Sequence, residues 1–137
     1  MKEQQLLVAN VRPKRIEVHN CGESGSDGAE WRFTMFAKSA GGGGLGNYST
    51  TWNQDGVHDN STQVFGPLEW IFVVPEGQKV TLGTFGVEED GPFDPNDPLP
   101  AVALEIDPTA DGPEFRLNAN SGEFSYTLVW GIDVIGH

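Results

Sequence analysis

The chain has 137 residues, among them 18 glycines, 9 prolines and a single cysteine. That length gives one domain with a core large enough to stand without disulfides, and one cysteine permits no internal disulfide. Against 8 basic residues stand 20 acidic ones, a formal charge of −12; it repels phosphate backbones and anionic bilayers, which excludes nucleic acid as a partner and disfavours a membrane surface.

The N-terminal stretch carries the apolar run Leu6-Leu7-Val8-Ala9, too short for the core of a signal peptide or for a membrane span. A cytoplasmic location, or export without a classical signal, is therefore expected. Residues 1–13 are expected to form an arm that Pro13 ends, lying along an edge of the parent sheet or adding to a neighbouring subunit. A β-sandwich domain is expected over 14–137.

Beyond the arm the apolar residues alternate by two, the period of a strand with one buried face. Ile16 and Val18 mark a first strand, Trp31, Phe33 and Met35 a second, and Tyr48 to Trp52 a short third. Trp70, Phe72 and Val74 mark a fourth. Val80 and Leu82 open a fifth whose inward set then shifts to Phe85 and Val87, so a β-bulge is expected beside Gly83. Val102, Leu104 and Ile106 mark a sixth. Phe115 and Leu117 form a seventh, joined by the tight turn Asn120-Ser121-Gly122 to an eighth in which Phe124, Tyr126, Leu128, Trp130, Ile132 and Val134 share one face. The fold class is all-β, an antiparallel, Greek-key sandwich of about eight strands.

If successive strands run antiparallel, alternate connections gather at one end. The first connection carries Glu23 and Asp27, the third Asp55, His58 and Asp59, and the fifth Glu88, Glu89, Asp90, Asp94 and Asp97. So many carboxylates at one pole repel one another unless neutralised. Calcium suits the pattern, since it takes six to eight oxygen ligands from irregular loops, whereas magnesium demands stricter octahedral geometry and zinc wants a Cys/His spacing that is absent.

The strand Glu30-Trp31-Arg32-Phe33 after an acidic loop, and the later Gly86-Val87-Glu88-Glu89-Asp90 and Asn96-Asp97-Pro98-Leu99, resemble C2-like calcium-binding β-sandwiches. The outline covers residues 14–135. The resemblance implies calcium held by Asp27, Glu88, Asp90 and Asp97, with Asp94 between them in the same acidic loop.

Trp52, beside Asn53, Gln54 and Asp55, is a candidate sugar platform, since a ring stacks while amides bond hydroxyls. His58 between Asp55 and Asp59 reads as a surface histidine in a polar turn, and Cys21 as a strand-end cysteine; neither assembles a nucleophile. The run Gly41 to Gly46 lacks the Lys-Ser/Thr of a phosphate loop. The expectation is a non-enzymatic, calcium-binding module for a partner or for assembly. Self-association through the N-terminal arm and carbohydrate binding through Trp52 are the alternatives.

Overall fold

The structure of the chain, a computed structural model, describes residues 5–22, 28–41, 43–89 and 96–136. Among these it is a sandwich of two five-stranded antiparallel sheets. The first sheet holds β1 (Leu6–Asn20), β4 (Ser61–Val64), β5 (Ile71–Pro75), β9 (Glu114–Asn120) and β10 (Ser125–Gly136). The second holds β2 (Ala29–Ser39), β3 (Asn47–Val57), β6 (Val80–Glu88), β7 (Asp97–Pro98) and β8 (Val102–Ile106). In the first sheet β1 lies between β10 and the β4/β5 pair, with β9 outside β10. In the second, β2 lies between β3 and β6, and β6 is flanked by β7 and β8. Ten strands replace the expected eight because the 53–63 connection carries strand to Val57 and again from Ser61, and Asp97–Pro98 pairs briefly with β6.

Alternation explains the core. Leu7, Ala9, Val11, Ile16 and Val18 of β1 face Trp31, Phe33, Met35 and Ala37 of β2, with Phe72, Leu82, Tyr126, Leu128 and Trp130 between them. The expected arm is thus corrected: residues 6–13 open β1, with Leu7, Ala9, Val11 and Pro13 buried and the stretch paired with both β10 and β5. Pro13 does not end the strand. It sits at a register shift against β10, and its missing N–H falls where the other neighbour is interrupted between β4 and β5.

The bulge expected beside Gly83 is also corrected. The register of β6 on β2 runs unbroken from Trp31↔Glu88 to Ser39↔Val80. The inward set continues through polar residues, with Thr84 and Glu88 buried, while Phe85 is 51% exposed. Gly83 instead makes room for a neighbour: a Cβ there would lie 1.9 Å from the Phe36 ring. Val134, expected inward, stands opposite the buried Ala9 of β1 yet is 43% exposed near the end of β10, beyond the last residue that β9 flanks.

Strand directions place the connections at two poles. The turns after β1, β3, β6 and β9 share one end, which holds Asn20, Val57, Glu88 and Asn120. Those after β2, β5 and β8 share the other. The Asn120-Ser121-Gly122 turn closes as expected, with Gly122 at φ 89° and its N–H donating to Asn120 Oδ1 at 2.7 Å.

Candidate functional site

Three of the expected calcium ligands, Asp27, Asp90 and Asp94, lie outside the described residues. The other two meet at the loop pole, where Glu88 and Asp97 stand directly opposite each other in the β6–β7 ladder. Directly opposed residues share a face, and Glu88 is buried. Among the described residues no group of three or more His, Cys, Asp or Glu side chains is gathered closely enough to hold a metal ion.

Part of the expected crowding is relieved by the protein itself. Arg32, on the outer face of β2, donates from Nη2 to Asp55 Oδ1 at 2.9 Å and pairs with Glu89 Oε2 at 3.4 Å. Asp59 accepts the Cys21 N–H at 2.9 Å, which holds its carboxyl below the ordinary carboxylate range. Cys21 itself is buried.

Trp52 lies at the seam where β3 of one sheet approaches β4 of the other. Its ring meets Trp31 at 6.3 Å and Phe65 at 6.2 Å, both edge-on. The hollow beside it is about 120 Å³, lined by Gln54, Ser61, Thr62 and Gln63 among others. Ordinary small-molecule pockets run to roughly 300–1,000 Å³. The amides of Gln54 and Gln63 already donate to the backbone carbonyls of Asp55 and Val64.

A larger hollow opens on the outer face of the second sheet. It measures about 410 Å³ and runs beside Phe85, between Arg32, Thr34 and Asn53 on one side and Pro98, Leu99 and Ala101 on the other. A second hollow of about 260 Å³ continues it past Phe36 and Ala103, sharing Phe85 and Ala101. The groove exists because the edge strand breaks: β7 pairs with β6 at residues 97–98, the Leu99 N–H still donates to Gly86 O at 3.0 Å, and Pro100 and Ala101 bow away before β8 resumes at Val102. A buried relay from the other sheet holds that bow. Tyr126 Oη donates to Pro100 O at 2.7 Å and lies 2.6 Å from Thr84 Oγ1, which supplies the second hydrogen bond.

The rim is acidic towards the loop pole, where the single guanidinium of Arg32 lies among Asp55, Glu89 and Glu30. The outer face of the first sheet is the opposite in character. There Arg12 pairs with Asp133, Lys14 and Arg15 with Glu114, and Arg15 and Arg116 with Glu17. The Arg116 guanidinium holds the Glu17 carboxyl below its ordinary range.

Sequence reading missed the groove, although part of it was within reach. With Trp31, Phe33 and Met35 inward, parity turns Phe36 outward. An unbroken parity in β6 would have turned Phe85 outward beside it. No protein-family model matches the chain, and no curated protein matches it in sequence.

Proposed function

We propose that this chain is a non-enzymatic binding module that takes an apolar side chain of a basic polypeptide segment into the groove beside Phe85. The observation that carries the reading is the groove itself: a hollow of about 410 Å³ on a sheet face, apolar along its floor and polar at Arg32, Thr34 and Asn53. Pockets of this size with few polar groups are the usual form of a ligand site. Three carboxylates about one guanidinium leave the rim with two surplus negative charges, which favours a cationic partner and gives association a salt dependence.

The test is a displayed library of random peptides panned on the whole chain. Enriched sequences are expected to place Phe, Leu or Trp beside Lys or Arg, and to lose at least about tenfold in affinity on Phe85→Ser. Phe85 is half exposed, so this variant keeps its core. Enrichment of acidic or charge-free sequences, or binding that survives Phe85→Ser, would end the reading.

A second reading, calcium at the loop pole, has one specific observation in its favour. Two carboxylates stand opposite each other across the β6–β7 ladder, one of them buried, and calcium takes its ligands from carboxylate oxygens. The stems of the 20–29 and 88–97 connections converge on the same pole, so the acids that the sequence carries in those connections favour the same ion. The C2-like resemblance belongs to this reading.

A further inference from the structure

We propose that the groove beside Phe85 takes two side chains, and that its occupant is an extended segment carrying a basic residue and two apolar residues at alternate positions. The inference rests on the groove being a peptide site, and adds the register and polarity of the peptide. The two hollows lie in line along β6. The larger touches that strand at Phe85, Gly86 and Val87, the smaller at Thr84 and Phe85. On β8 the smaller also meets Val102 and Ala103, which stand opposite Thr84 and Gly83. Their middles are thus about two residues apart, about 7 Å at roughly 3.3 Å per residue. Two residues is the repeat of an extended chain, in which i and i+2 point the same way. Phe85 stands between the hollows, half exposed, its ring centroid 6.2 Å from that of Phe36. A ring flanked on both sides needs about 7–8 Å between its neighbours, at carbon contacts of about 3.5–4.0 Å on each side. The i and i+2 side chains of a strand leave that gap, since i+1 points away. The i and i+4 side chains of a helix, about 5–6 Å apart at Cβ, do not.

Charge sets which end of the groove takes the basic residue. Next to the larger hollow, Glu30, Asp55 and Glu89 surround the single guanidinium of Arg32. Beyond the smaller hollow, Lys38 and Glu105 both stand opposite Thr81, in one row of the sheet, and there one charge cancels the other. A lysine or arginine is therefore held at the first end and gains nothing at the second. To point down beside the larger hollow it must share a face with the side chain that fills that hollow, which places it two positions away. The smaller hollow, about 260 Å³ against about 410 Å³, takes the smaller apolar side chain. The pattern is then basic, aromatic, aliphatic, each separated by one residue that faces away from the sheet.

The experiment is a calorimetric titration of the whole chain with the capped peptide Ser-Lys-Ser-Trp-Ser-Leu-Ser and with its reversal, the tighter of the two serving as parent. Replacing the peptide's leucine by serine should weaken binding about tenfold. Moving that leucine next to the tryptophan, or to four positions from it, should cost as much. Moving the lysine to the far side of the leucine should cost about threefold, the worth of an exposed ion pair. Ala103→Leu fills the smaller hollow from an exposed position on β8. It should bring the parent peptide down to the affinity of the leucine-free one and leave the latter unchanged, a difference that a merely unfolded variant does not produce. The proposal is overturned if the leucine-free peptide binds as tightly as the parent, if the four-residue spacing binds as tightly, if the position of the lysine is indifferent, or if Ala103→Leu weakens both peptides alike. If library-selected peptides bind the groove and these do not, the register alone is wrong; if neither binds, the peptide site falls with it.

Discussion

Removing one oxygen atom tests how the groove is held open. Tyr126→Phe deletes the Oη that donates to Pro100 O and accepts from Thr84. Tyr126 and Thr84 are each 1% exposed, so water cannot easily replace the lost partner. Leaving the buried Thr84 hydroxyl without its partner and the half-buried Pro100 carbonyl without its donor costs about 1–3 kcal/mol; about 2 kcal/mol is expected here, or a fall in melting temperature of about 8 °C for a domain of this size. Burial also pushes the Tyr126 hydroxyl from 10 up to about 12, and the sign of the resulting pH dependence is fixed. Below pH 10 both folded and unfolded chains keep the proton and stability is complete. Between 10 and 12 the unfolded chain releases it while the folded chain retains it, so stability falls by about 1.4 kcal/mol per pH unit. The variant lacks this loss. Urea titrations of both proteins at pH 8 and above pH 11 should therefore show a gap of about 2 kcal/mol that closes as pH rises. A gap below about 0.5 kcal/mol at pH 8, or one indifferent to pH, would refute the relay as the support of Pro100 and Ala101.

Calcium, if it binds the loop pole, stabilises the folded chain by about 2.7 kcal/mol at a hundred times its Kd. A calorimetric titration of chelator-stripped protein should show saturable heat that Asp97→Asn weakens, and melts identical in calcium and in chelator would remove the ion. Arg32→Gln leaves Asp55, Glu89 and Glu30 without their shared cation. It should lower the melting temperature by a few degrees at low ionic strength, with most of the loss recovered in high salt; a salt-independent loss would point to packing instead.

The two-residue period read the architecture well wherever one face was wholly apolar. β10 is the clearest case: Tyr126, Leu128, Trp130 and Ile132 are buried as their spacing requires. Strand direction alone gathered the stems of the acidic connections at one pole. The reading failed where tertiary contacts overrode local pattern. Thr84 faces inward because its partner Tyr126 lies 42 residues away, and nothing near Thr84 in sequence announces that hydroxyl. Pro13 sits inside a strand because the neighbouring strand is broken beside it, a fact about residues 65–70. Arg32 was read as part of a strand motif, yet its work is to hold carboxylates from two different connections. The groove needed the supposed bulge undone, since it lies along Phe85, the residue that the bulge had turned inward.

The pairing of β1 with β10 bears on how the chain comes to fold. The two strands pair from Val8↔Gly136 to Asn20↔Ser125, with three shifts of register along the way, so the centre of the first sheet joins segments separated by almost the entire sequence. Closing so large a loop is slow, and no local hairpin can stand in for it. During synthesis β1 emerges first yet waits for β10, with only the short β4 and β5 for company. A ribosome-bound chain from which β10 has not yet emerged is thus expected to expose the apolar face of β1 and to rely on chaperones until the closing strand arrives.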